Sequence, residues 1–241
     1  MHDSAGLSPP LDCLHLQTRL FVVELGGHGL IIAVQNAMAV NRPPRDITPE
    51  TFFSDWLLSE YKQLREAAGG AATPPNTTIG VNLDGDGGGE WTLTLADGEL
   101  SSASGLSGDA DVTLVQSVND WRALMCGEEG APDLVPANAN PMDALLAADQ
   151  ATHDLLTDVV GCINLKMSGF GGRDWQLQVM FKNATEPEAT FAVDAETYGQ
   201  MLDGSLPAPQ AYFAGKIAIT GDTSFAMQLA MAAMARMNAG T

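Results

Sequence analysis

The chain has 241 residues and a formal net charge of −19, from 30 acidic against 11 basic side chains. Nucleic acid is gripped through clustered Lys and Arg, and no such cluster occurs here, so no nucleic-acid partner is expected. An anionic membrane surface is disfavoured on the same ground, and the acidity itself is read as a soluble, self-repelling surface.

With 45% hydrophobic residues, the chain has enough apolar material for a proper core, and 25 glycines and 13 prolines punctuate it. Cys13, Cys126 and Cys162 are odd in number and lack metal-ligand spacing, which points to reduced thiols. No basic stretch precedes an apolar run in MHDSAGLSPP, so no secretory signal is expected. The most apolar segment, Leu20 to Val40, is interrupted by Glu24, Gly26, Gly27, His28 and Gln35, so stable membrane insertion is not expected. Together these features predict a cytoplasmic protein.

Residues 1–46 read as an N-terminal arm, with a short strand over Leu20–Leu25 and a buried helix over Leu30–Val40. Thr48 then offers an N-cap with Pro49 at the first helical position. Phe52, Phe53, Trp56, Leu57, Tyr61 and Leu64 come next as one apolar stripe, and Gly69-Gly70 ends the helix. Strands are predicted over Thr78–Leu83, Glu90–Leu95, Glu99–Ala103 and Asp111–Gln116 from their alternation. Asp97-Gly98 marks a hairpin. The next helix carries Val118, Trp121, Leu124 and Met125 and stops at Gly127. A loop spans Glu128–Asn140, and Asn140 caps a further helix bearing Leu145, Leu146, Leu155 and Leu156.

After Gly161 the pattern restarts. VNLDGDGGGEWTLTL (Val81–Leu95) is answered by INLKMSGFGGRDWQLQV (Ile163–Val179), and VTLVQSVNDWRALMCGEEGAP (Val112–Pro132) by ATFAVDAETYGQMLDGSLPAP (Ala189–Pro209). Such self-similarity is the mark of one supersecondary unit used twice. It divides the chain into a first unit over 47–160 and a second over 161–241. In the second, a strand at Ala189–Val193 leads to a helix over Ala195–Leu202 that stops at Gly204. A Pro-broken link with Tyr212 and Phe213 comes next, then a strand over Lys216–Thr220. Gly221-Asp222 opens the closing helix.

On that helix Met227, Met231 and Met234 recur at helical spacing, with Phe225 and Leu229 nearby. Methionine is unbranched and polarizable, so such a face adapts to apolar partners of different shapes. Tyr198, Met201 and Leu202 from the preceding helix, Tyr212 and Phe213 from the link and Ile217 from the strand are expected to face the same space. An apolar hollow with a few polar groups at its mouth is the usual small-ligand site. A plain Ala- and Met-rich core helix is the competing reading.

No metal site and no cofactor are expected. Asp84-Gly85-Asp86-Gly87 superficially matches a calcium loop, but Leu95 stands where the bidentate glutamate belongs, so a hairpin turn is expected. The common nucleophile, zinc, P-loop and dinucleotide motifs are absent.

The run AYFAGKIAITGDTSFAMQLA (Ala211–Ala230) resembles the sterol carrier protein family. The aromatic pair is Tyr212-Phe213 and the Gly-Lys step is Gly215-Lys216. The alternating strand Ile217–Thr220, Gly221-Asp222 and the Ala-Met-x-Leu helix start at Ala226–Leu229 complete it. The resemblance covers roughly 161–237 and, more faintly, 47–158. DGELSSASGLSGDADVTLVQSVNDWRALMCG is also similar to the related domain that ends bacterial alkyl sulfatases. The first unit departs from the pattern where ANANPMD stands in place of the Gly-Lys strand.

The resemblance implies an α+β fold, a mixed sheet covered by helices on one side with an apolar tunnel between, built here from two pseudo-repeated helix-βββ-helix units. It implies non-covalent binding of a hydrophobic small molecule: a sterol, steroid, fatty acid or acyl-CoA-like lipid. Two other readings stay open. One is an enzyme or enzyme subunit acting on a hydrophobic metabolite through His153 or Tyr198. The other is a homo-oligomer formed through the apolar face of Phe52, Phe53 and Trp56.

Overall fold

The computed structural model describes residues 21–23, 30–32, 42–67, 73–127, 130–131, 153–154, 158–202 and 205–229. Strands β1 (Phe21–Val23) and β2 (Leu30–Ile32) pair antiparallel. The helix expected from Leu30 is therefore a strand in its first three residues, two of them β-branched isoleucines that favour a pleated backbone. Its remainder lies outside the described residues, as do most of the loop and helix expected between Glu128 and Leu156.

Helix α1 (Pro49–Thr51) starts where the sequence places it: Thr48 Oγ1 accepts from the Thr51 amide at 3.1 Å. It widens into a π-type turn over Phe52–Trp56 and continues as α2 (Leu57–Ala67). Inserting a wide turn rotates the helical residues after it about the axis. Phe52 and Phe53 are thereby buried together with Leu57, Tyr61 and Leu64. The two phenylalanines are the hub of the first core. Phe53 stacks on Trp91 of the sheet (4.6 Å between ring centroids), and Phe52 meets Trp121 edge-on at 5.1 Å. These residues are thus core, and the self-associating face expected of Phe52 and Phe53 does not exist; Trp56, half-buried, stacks on Phe52.

The sheet has eight strands in the order β10-β9-β7-β8-β6-β3-β4-β5. Its first half comprises β3 (Thr77–Asp84), β4 (Gly89–Ala96), β5 (Glu99–Ser104) and β6 (Val112–Ser117), followed by α3 (Val118–Cys126). Asp97 and Gly98 turn β4 into β5 with φ of 52° and 81°, the paired positive values that a tight hairpin needs. Ser117 caps α3, and Gly127 closes it in the left-handed conformation.

The second half comprises β7 (Gly161–Phe170), β8 (Arg173–Phe181), β9 (Glu188–Asp194), α4 (Ala195–Leu202), α5 (Ala208–Phe213) and β10 (Ile217–Gly221). The segment holding Tyr212 and Phe213 is a short helix rather than the expected link. Its prolines flank the start, where a missing N–H and a fixed φ are tolerated.

The repeat is visible in the pairing. In each half a hairpin's first strand also pairs, in parallel, with the strand that leads into a helix: β3 with β4 and β6, β7 with β8 and β9. Among the described residues, each half then has one strand the other lacks, β5 in the first and β10 in the second. The halves meet where those strands are missing. The β6 edge pairs antiparallel with the β8 edge, Val112 opposite Phe181 and Val115 opposite Gln178. Each half covers the backbone edge that the other leaves open.

Asp111 fastens this joint. Its carboxylate accepts from the Thr78 amide at 2.8 Å and from Lys182 Nζ at 2.6 Å, while its carbonyl accepts from the Lys182 amide at 3.0 Å. The residue before β6 thus ties β3 of the first half to the residue after β8 of the second. Burial pushes the Asp111 carboxyl upward, but the Lys182 and Thr78 hydrogen bonds, the Lys182 charge and His153 outweigh it and hold the group below its ordinary value.

Register makes the sheet two-faced. One row across six strands reads Trp91, Val81, Leu114, Val179, Ile163, Ala189. The next row, on the opposite face, reads Glu90, Asn82, Val115, Gln178, Asn164, Thr190. Because side chains alternate along a strand, the apolar face passes through the joint without interruption. All the core clusters of the described residues lie along it.

Two outcomes are expected. Phe53→Ala should lower stability by about 3–5 kcal/mol in urea unfolding, the usual range for emptying a buried aromatic site. Asp111→Asn should be less stable than wild type at neutral pH. The folded-state value of Asp111 is depressed, so its stabilisation is complete above the unfolded value of about 3.9 and disappears as pH falls through the folded one. The gap between the two proteins, followed by urea titrations over a pH series, should therefore close only below about pH 4.

Candidate functional site

The helices over the second half are short and locally capped. Asp194 Oδ1 accepts from the Thr197 amide at 2.7 Å at the start of α4, and Asp222 Oδ1 accepts from Phe225 at 2.9 Å at the start of the helical segment 223–229. Lys216 Nζ donates to Gln200 Oε1 at 3.1 Å, tying the approach to β10 to α4. The helical elements α5 and 223–229 thus flank β10 in sequence and stand against the apolar face.

Two apolar groupings result, joined through Ile219. In one, Ile217 and Ala211 are buried with Met201, Leu206 and Val193 around them. In the other, Phe225, Ala226 and Leu229 pack on Ala189, Phe191, Ile163 and Phe181. Gly161 permits the closest approach: at φ 141°, a side chain there would stand 2.6 Å from the Phe225 ring. Tyr198 is buried and meets Phe170 edge-on at 5.5 Å.

The expected site residues divide accordingly. Tyr198, Met201, Ile217, Phe225 and Leu229 lie on or against the apolar face. Tyr212 is half-exposed and Phe213 is 85% exposed, side by side at the end of α5. Met227 is 60% exposed. The closing helix turns Phe225, Ala226 and Leu229 inward, so Met227 is not on its buried face. The 3.6-residue period permits one such stripe, and positions 225, 226 and 229 fill it. The Leu202 side chain, Met231 and Met234 lie outside the described residues.

Sequence reasoning names only Ile217 from the sheet. Phe191, Val193, Ile219 and Leu165 complete the same surface, and the alternation of Ala189, Phe191 and Val193 is the signal that could have found them. His153, the candidate for acid-base work, lies with Nδ1 3.2 Å from Thr77 Oγ1, at the start of β3. It is not brought together with Tyr198, which packs on Phe170. Cys162 is buried with its thiol pushed up by burial and by the Glu188 charge, so it is a poor nucleophile. Among the described residues, no group of three or more His, Cys, Asp or Glu side chains is arranged to hold a metal. No helix among them is long and apolar enough to cross a membrane.

What the geometry defines is a class: a mixed sheet with one continuous apolar face, roofed by short helices that leave little polar chemistry inside. The sequence matches the SCP-2 sterol transfer family over residues 58–136 and again over 142–234, and the chain belongs to that family, which it matches twice in tandem. A search of the curated proteins returns no match.

The placement of two neighbours in sequence can be checked directly. Ile217→Ala should lower stability by about 2–5 kcal/mol, whereas Phe213→Ala should stay within about 0.5 kcal/mol of wild type, both measured by urea unfolding.

Proposed function

We propose that this protein binds a hydrophobic small molecule, a sterol, steroid, fatty acid or acyl-CoA-like lipid, without catalysing a reaction on it. The second unit, 161–241, holds the molecule between the apolar sheet face and the helices beside β10. Tyr198, Met201, Leu202, Ile217, Phe225, Leu229, Met231 and Met234 supply contacts, and Tyr212, Phe213 and Met227 stand at the mouth. The observation that carries this reading is the unbroken apolar row on the sheet, in a family of sterol transfer.

The driving force is removal of apolar surface from water, worth roughly 25 cal/mol per Å². Short helices such as α5, six residues long, have little stability of their own. They can part from the sheet at small cost to admit a guest. Met201 and the methionines of the closing segment adapt to its shape. The first unit closes the β8 edge.

Delipidated protein titrated with fluorescent fatty-acid and steroid probes should show saturable binding to at least one. Met201→Gln, which puts an amide into the apolar layer, should weaken it about tenfold with circular dichroism unchanged. Absence of saturable binding to any probe would remove this function.

A further inference from the structure

Among the described residues, the apolar face contains a side chain that does not belong there. Gln116, next on that face of β6 after Leu114, pairs across the ladder with Leu83, which is 2% exposed. Gln116 is itself 8% exposed, and its Oε1 is buried with no hydrogen-bond partner among the described residues. A buried carbonyl oxygen without a donor is costly and therefore rare in folded proteins.

The surroundings explain why the described residues do not supply the donor. The β6–β8 ladder ends at Val115 opposite Gln178, one residue short of Gln116, so β8 offers no paired position there. Beyond it, α3 crosses the joint. Its Ala123 and Leu124 pack on Trp175 and Met167 of the second half. Two donors on that side already have partners: Trp175 Nε1 bonds the Phe170 carbonyl at 3.1 Å, and Arg173 Nη1 bonds Asp120 at 3.0 Å, its guanidinium lying 3.7 Å over the Trp175 ring. The orphaned oxygen thus sits on β6, where the two halves meet, on the same apolar face as the second-half surface proposed above and beside it.

Resting on that reading, we propose that Gln116 Oε1 is the specificity determinant: it accepts a hydrogen bond from a ligand that carries a neutral donor, a hydroxyl or an amide N–H, on an otherwise apolar body. A carboxylate is acceptor-only and cannot satisfy it, and an ammonium group would have to be stripped of water in an apolar layer. The ligand class is therefore a lipid alcohol or amide rather than a fatty-acid anion. Its polar end lies at the joint between the halves, and its tail runs along the apolar row into the second half.

The test uses the delipidated full chain, with hexadecanol and its methyl ether competing against a fluorescent fatty-acyl probe. The two differ by one donor. Wild type should prefer the alcohol by about three- to tenfold, the value of one hydrogen bond. Gln116→Met, close in volume, should bind both equally, at the affinity wild type shows for the ether. Without ligand, Gln116→Met should be at least as stable as wild type in urea, since an unpaired buried amide has been replaced by an apolar group. Equal binding by wild type, or a preference that survives in Gln116→Met, overturns the assignment and leaves the carrier reading intact. A clear loss of stability in ligand-free Gln116→Met shows that a water or protein group already serves the oxygen, and also overturns it. Failure of wild type to bind the probe, the alcohol or the ether removes the carrier reading and this assignment with it.

Discussion

Two incomplete sheets become one at β6 and β8. A strand edge is a row of unpaired N–H and C=O groups, and an open edge invites unwanted pairing. In the first half the strand that would flank β6 is replaced by β8, and in the second the place beside β8 is taken by β6. The bonds of Asp111 to Thr78 and Lys182 hold the same seam at its end. Everything else depends on this pairing, because it sets the register that keeps Leu114 opposite Val179 and so carries the apolar face from one half into the other. A slip of one residue would present Gln178 or Thr113 to the helices instead.

A continuous face has consequences that neither half has alone. The helices of the first half bury Phe52, Phe53 and Trp121 against Val81 and Trp91, a close-packed aromatic core. Those of the second half are shorter and bury smaller groupings around Ile217 and Phe225. The rigid core and the more readily opened layer thus sit on one sheet, which suits a division of labour in which the first half supports and the second accommodates. Gln116 falls between them, where neither core is complete.

Much of the local structure is legible in the residues themselves. Thr48-Pro49 marks a helix start, Asp97-Gly98 a hairpin, and alternation the strands from Thr78 to Thr220. The doubled pattern and the family resemblance come from motif order, as does the departure at ANANPMD. The points of difference also have local causes. Pro207 and Pro209 look like breakers but open α5, and the apolar run from Leu30 begins as a strand because β-branching there outweighs helical spacing. Met227 fits an inward stripe by its spacing with Met231 and Met234. The structure instead gives the buried face to Phe225, Ala226 and Leu229.

By itself the sequence determined most of the strands and the helices that start at Thr48, Ser117 and Asp194, that one unit occurs twice, and that its inward positions are apolar. These are properties of residues within a few positions of one another, governed by backbone preference and periodicity. Only the tertiary structure decided that β6 pairs with β8, that Phe52 and Phe53 are interior, and that Gln116 lies orphaned at the seam. Such facts join residues far apart in the chain, and edge complementarity, burial and hydrogen-bond satisfaction exist only once the chain has closed on itself.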